Sequence, residues 1–224
     1  MIDVAKARVQ HASYCDALRA CGLEVIALQP ERDMPDACFV EDAAVISGGI
    51  AAITRPGAEE RRAETPSVER ALSRLCRCVP MTRGRLDGGD VLVADGVALV
   101  GLSARTDEAG VRELGSILGL PVRTIPVRGL LHLKSGATRI GPRRLMVLAG
   151  AFRAGDFEGF ELIETDEPAG ATVLEFEGHA IVSAAAARTA ARLRSLGLRV
   201  HAVDIGEFHA GDAGVTCLSV ISCP

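Results

Sequence analysis

Short apolar runs alternate with glycine-centred turns along this chain, and the alternation recurs as a unit. Apolar runs at 43–46 and 51–54 flank Ser47-Gly48-Gly49, and a polar stretch of helical character follows over 59–75. A second copy has runs at 91–93 and 97–101 around Ala94-Asp95-Gly96, then a helix-like stretch at 107–118. A third runs through 137–140, Gly141-Pro142 and 145–148; a fourth through 172–176, Glu177-Gly178, 180–183 and a helix over 184–196. A strand over 215–221 would begin a fifth. Asp-Gly and Gly-Pro between short apolar runs predict hairpins. Thr106 and Asp107 are candidate N-caps, and Gly119 and Gly197 stand where helix-ending glycines belong. The pattern predicts an α/β fold, and units recurring every ~35–47 residues suggest a pseudosymmetric ring. An ordinary α/β sandwich with coincidental hairpins is the plainer alternative. No low-complexity segment interrupts residues 1–224, so a single domain is expected.

Composition narrows the function classes. A hydrophobic share of 48% supports a sizeable core. The net charge of −4 disfavours nucleic acid as a partner. The first residues, MIDVAKARVQHA, lack the apolar core of a signal peptide, and no apolar run is long enough to span a bilayer, so the cytoplasm is expected. Seven cysteines (Cys15, Cys21, Cys38, Cys76, Cys78, Cys217 and Cys223) are irregularly spaced and do not read as a disulfide framework. Neither do they contain a CxxC pair, and Cys76-x-Cys78 alone is not a zinc signature.

Three distant segments carry the candidate chemistry. Cys217 lies in GVTCLS, His132 in LLHLKS, and Asp87 opens Asp87-Gly88-Gly89-Asp90. Each has a bland reading: a buried structural thiol, a core histidine, a turn before a strand. Together they are the kit of nucleophilic catalysis, in which a carboxylate orients a histidine that serves a thiolate. The polar–apolar alternation around His132 predicts a strand edge at a pocket. Asp36, Glu41 and Asp42 bracket the apolar Cys38-Phe39-Val40, and carboxylates match the planar donors of a guanidinium. Arg55, Arg61, Arg62 and Arg105 are candidates for gripping a carboxylate. The set reads as a hydrolase acting on a guanidinium compound.

With these segments placed, the chain resembles the dimethylarginine dimethylaminohydrolase family of the guanidine-modifying superfamily. The likeness rests on PDACFVEDAAVI, AAITRPGAEERRAE, LDGGDVLV, VGLSARTDEAG, LLHLKSGATRIG, GEFHAGDAG and GVTCLSVIS, in that order. The resemblance implies a five-bladed α/β propeller of ββαβ units. It implies Cys217 as nucleophile, His132 as general acid/base and Asp87 as the acid orienting it. Asp36, Glu41 and Asp42 would hold the substrate's guanidinium and α-amino groups, Arg61 and Arg105 its α-carboxylate, and the Gly211 carbonyl its α-amino group. Neither metal nor organic cofactor is implied. Family members usually begin with a further strand and a covering loop, so the N-terminal strand is expected to be missing. The edge it leaves would be open to a second copy of the chain as a homodimer. Two other readings stay open: an arginine deiminase or other guanidine hydrolase, and a non-catalytic binder of arginine-like ligands.

Overall fold

The computed structural model describes residues 2–31 and 33–222; Cys223 lies outside the described residues. The chain divides into two compact units, Met1–Ala27 with Ser135–Thr216, and Leu28–Lys134 with Cys217–Pro224.

The described residues form an α/β fold with four three-stranded sheets, each an antiparallel hairpin extended by a parallel strand. In the second unit these are β1 (Ala44–Ser47), β2 (Ile50–Ile53) and β3 (Arg77–Pro80), then β4 (Val91–Ala94), β5 (Val97–Leu102) and β6 (Val122–Pro126). In the first unit they are β7 (Ala137–Gly141), β8 (Arg144–Leu148) and β9 (Glu161–Thr165), then β10 (Leu174–Phe176), β11 (His179–Ser183) and β12 (Arg199–Val203).

The hairpin turns explain the registers. Gly48 and Gly49 (φ 56° and 74°), Asp95 and Gly96 (49° and 79°), and Glu177 and Gly178 (46° and 79°) are two-residue turns with both central φ values positive. That conformation matches the twist of the strands it joins. The third turn contains Pro142, whose ring holds φ negative. Its hairpin instead shifts register between Arg139 and Gly141, the irregularity a bulge supplies.

Among the described residues five α-helices accompany the sheets. In the second unit α2 (Thr65–Leu72) buries Val68 and Leu72, and α3 (Glu108–Leu118) buries Val111, Leu114 and Leu118 at helical spacing. Asp107 caps α3, accepting from the Gly110 N–H, and Gly119 ends it in the left-handed region (φ 65°). The α3 residues share a core with Val45, Ala52, Val91, Ala98 and Val100. In the first unit α1 (Val4–Ala20) and α5 (Gly206–His209) pack together, and α4 (Ala187–Ser195) covers a core of Ile140, Met146, Ile163, Ala180 and Val182.

Several sequence expectations are corrected. The stretch 59–75 is not one helix: Glu60–Glu64 is a 3-10 turn, and α2 begins only at Thr65, followed by Pro66. The run 172–176 contributes a strand only from Leu174. No strand forms over 215–221; Thr216–Leu218 is a 3-10 turn, so a fifth sheet does not start there. The third strand of every sheet and helix α1 have no counterpart in the hydrophobic pattern as read. No described helix is long and apolar enough to cross a membrane.

Candidate active site

Most of the expected site residues lie in the second unit, on irregular backbone flanking its strands. Glu41 and Asp42 belong to the 3-10 turn Val40–Ala43 leading into β1, and both are buried. Asp87 directly precedes the 3-10 turn Gly88–Asp90 that opens β4 and is fully buried. His132 does not sit on a strand edge; it lies in a bend just before the 3-10 turn Leu133–Ser135 and is buried. Cys217 belongs to the same compact unit and is half-buried in its own 3-10 turn rather than in a strand. Short helical turns keep backbone amides free of ladder pairing, so side chains can use them.

His132 and Asp87 form the centre. His132 Nε2 lies 3.0 Å from Asp87 Oδ2. The other Asp87 oxygen accepts the Gly57 N–H at 2.8 Å, and the Asp87 N–H donates to Thr106 Oγ1 at 3.2 Å. The carboxylate is therefore fixed before it meets the ring. On the other edge of the ring, Nδ1 lies 3.9 Å from Asp42 Oδ1. Gly89 fits between: a Cβ there would stand 2.7 Å from both His132 Nδ1 and Asp42 Oδ1, while its N–H donates to that Asp42 oxygen at 2.9 Å. Burial works against a charged imidazole here. The Asp87 hydrogen bond and the carboxylates of Asp42 and Asp90 outweigh it, raising the His132 pKa above its ordinary value.

Asp90, which the sequence reading gave no role, completes the support. It is fully buried, with Oδ2 accepting from Ser103 Oγ at 2.6 Å and Thr106 Oγ1 at 2.7 Å, and Oδ1 from the Leu133 N–H at 2.9 Å. A closed circuit results: His132 to Asp87, Asp87 to Thr106, Thr106 to Asp90, and Asp90 back to the residue after His132. The signal for it was an acid placed directly before an apolar strand, where a carboxylate is costly unless partnered.

Arg61, expected at the substrate α-carboxylate, is held by protein groups in the structure. Its guanidinium is buried and pairs with protein groups: Nη1 with Asp42 at 2.5 Å, Nη2 with Glu64 at 2.8 Å, and Nη2 also with the carbonyls of Asp36 and Phe39 at 3.2 Å each. Burial pulls the Asp42 pKa upward, but His132 and Arg61 together hold it below the usual carboxylate range. Glu64 was missed by the sequence reading, although its i+3 spacing from Arg61 is a recognisable pairing signal. Glu41 pairs with Lys134 at 2.7 Å. Asp36 is exposed. Arg105 is half-buried, and its Nη1 is a buried donor with no hydrogen-bond partner among the described residues. Gly211 belongs to the first unit, in the turn after α5, with its N–H donating to the Phe208 carbonyl at 2.9 Å.

The arrangement suits proton transfer beside cationic chemistry. Glu41, Asp42, Glu64, Asp87 and Asp90 are all buried and outnumber the cations Arg61, Lys134 and His132. The donor atoms of Asp42, Asp87 and His132 lie within 4.8 Å of one another, a spacing a metal ion also accepts. Both oxygens of each carboxylate, however, already have protein partners: Gly89 and Arg61 for Asp42, Gly57 and His132 for Asp87.

Comparisons with known proteins identify the family. A family model described as N,N dimethylarginine dimethylhydrolase, eukaryotic, matches residues 2–154. The chain is 40% identical to the N(G),N(G)-dimethylarginine dimethylaminohydrolase of Streptomyces coelicolor, over 98% of this chain and 87% of that one. Identity to the enzyme of the same name from Pseudomonas aeruginosa is 33%, over 97% and 89% of the two chains. A solved Pseudomonas aeruginosa structure, a Cys-to-Ser mutant complexed with citrulline, superposes with a TM-score of 0.92 at 32% identity, covering 97% of this chain and 88% of that one. The N-terminal domain of ArgZ, an arginine dihydrolase, shares the fold at 16% identity with a TM-score of 0.87. Sequence, fold and the buried His132–Asp87 pair converge, and the chain belongs to the dimethylarginine dimethylaminohydrolase family.

Proposed function

We propose that the protein hydrolyses Nω-methylated arginines to citrulline and methylamine or dimethylamine. The observation that carries this is the His132–Asp87 pair, buried among carboxylates in the same compact unit as Cys217. In this reading the Cys217 thiolate attacks the guanidinium carbon. The electron pair of the broken C=N bond moves onto nitrogen, in a tetrahedral adduct held by nearby carboxylates. His132 gives its proton to the departing amine, the C–N bond breaks, and a covalent thiouronium remains on sulfur. Neutral His132 then takes a proton from water, hydroxide adds to the same carbon, and the C–S bond breaks to release citrulline and the thiolate. No cofactor enters the sequence.

The other roles divide by what each side chain already holds. Arg105 takes the substrate α-carboxylate, supported by its unpartnered Nη1. Arg61 positions Asp42 rather than the substrate. Asp42, Glu41 and the exposed Asp36 face the guanidinium and α-amino ends. The five-bladed propeller belongs to the same reading, supported by four repeated sheets and the fold match. So does a reducing, cytoplasmic setting that keeps Cys217 a thiol.

The test is citrulline formation from asymmetric dimethylarginine, monomethylarginine and arginine, with wild type beside Cys217→Ser. Turnover of methylated substrates, abolished in the variant, is expected. Citrulline from arginine alone would replace the reading with a deiminase. No turnover by folded protein would favour a ligand binder.

A further inference from the structure

A second cluster of metal-binding side chains lies in the first unit, and the reaction above does not use it. Cys21 follows the last residue of α1, His179 opens β11, and His201 is the third residue of β12. The parallel register pairs His179 with Arg199 and Ile181 with His201. Side chains alternate faces along a strand, so His179 and His201 stand diagonally on one face. The opposite face carries Ala180, Val182 and Val200, which pack with α4. Helix α1 packs on β12, and Cys21, the residue just past its end, is buried.

The three donor atoms, Cys21 Sγ and one ring nitrogen from each histidine, lie within 4.8 Å of one another. His179 Nδ1 is 3.0 Å from His201 Nε2, and the two ring planes are inclined by only 15°. The plain account is a hydrogen bond between two neutral imidazoles sharing one proton. It leaves the convergence of a thiol from a third element without a purpose. A tetrahedral zinc ion with Zn–N bonds of about 2.05 Å sets its nitrogens roughly 3.3 Å apart, and its Zn–S bond is about 2.3 Å. The observed spacing is within a few tenths of an ångström for the nitrogens. One thiolate and two imidazoles suit a borderline cation rather than magnesium or calcium. The charged groups beside the cluster are Arg199, an exposed side chain, and Glu177.

We propose that Cys21, His179 and His201 form a binding site for a divalent cation of the zinc class, with the fourth position open to water. It would tie the end of α1 to two strands through one ion, which neither an apolar contact nor a shared proton does.

The test uses the full chain carrying Cys217→Ser, so that no metal is held by the active-site thiol. Zn2+ is titrated by calorimetry, and Co2+ is added as a spectroscopic stand-in. Expected are one equivalent of Zn2+ and a thiolate-to-cobalt band in the near ultraviolet. The band is lost on further Cys21→Ser, and Zn2+ affinity falls at least tenfold in His179→Gln and in His201→Gln. Circular dichroism checks each variant, and the two histidine variants decide the matter if Cys21→Ser does not fold. No ion uptake, or uptake unchanged by losing either histidine, overturns the proposal.

Discussion

Asp87 holds His132 by its Nε2 at 3.0 Å and is itself held by the Gly57 amide at 2.8 Å, so the histidine's orientation is decided by backbone outside its own loop. Replacing Asp87 with Asn removes the charge and leaves the shape. An amide NH2 facing Nε2 favours the wrong tautomer, and kcat is expected to fall by ~10²–10⁴-fold, the range of general acid–base catalysis. The lost hydrogen bond also lowers the His132 pKa, so the alkaline limb of the pH–rate profile should move toward acid. A profile that falls in height without moving would mean that Asp87 does not set the proton affinity of His132.

Gly89 is the contact that lets the ring and Asp42 share a space. Gly89→Ala puts a methyl group 2.7 Å from both, a steric conflict worth about 1–3 kcal/mol if the surroundings yield. The expected result is a folded protein with kcat down more than ~10-fold, because near-attack geometry tolerates little displacement. Paired measurements of kcat and thermal midpoint check this, and wild-type kcat in the variant would sink it.

The two arginines should separate in opposite ways. Arg61→Ala leaves Asp42 and Glu64 buried without their cation, and should cost about 3–5 kcal/mol in denaturant unfolding. Arg105→Ala removes a donor that the protein does not use, so stability should change little. Its KM should rise by ~10–100-fold, the worth of a charge-assisted hydrogen bond of about 1.5–3 kcal/mol. Equal stability loss in both variants would refute the division.

Stability should also depend on pH through His132. Its folded pKa is raised, so protonated His132 favours the folded state. That contribution is complete below the unfolded value of about 6.5 and is lost as pH climbs through the folded pKa. Urea midpoints of wild type should therefore decline across that window, and the decline should flatten in His132→Asn. A midpoint rising through the window would contradict the sign.

What the sequence made legible follows from chemistry that is local. Paired hairpin runs, the Asp107 cap and the Gly119 terminator each depend on neighbours within a few residues, and the structure has them. The third strands were not legible, because β3 and β9 alternate polar and apolar residues too weakly to stand out from the loops around them. The backbone at His132 was misread for a related reason: the apolar neighbours Leu131 and Leu133 suggest a strand, whereas Asp90 and Asp87 hold a turn there from ~40 positions away. Identifying Arg61 as important was within reach of the motif. Learning that it pairs with Asp42 required seeing Glu64 and two carbonyls close around it.

The circuit through Asp90 has a consequence for how this protein tolerates change. His132 takes its position from a carboxylate at the start of β4 and a hydroxyl just ahead of α3, both anchored on a packed sheet. The segment that delivers the histidine is tied to β5 by the Val127 N–H on the Leu102 carbonyl, and further along it carries the exposed Leu131. Side-chain changes at Leu131 are thus uncoupled from the bonds that place the imidazole.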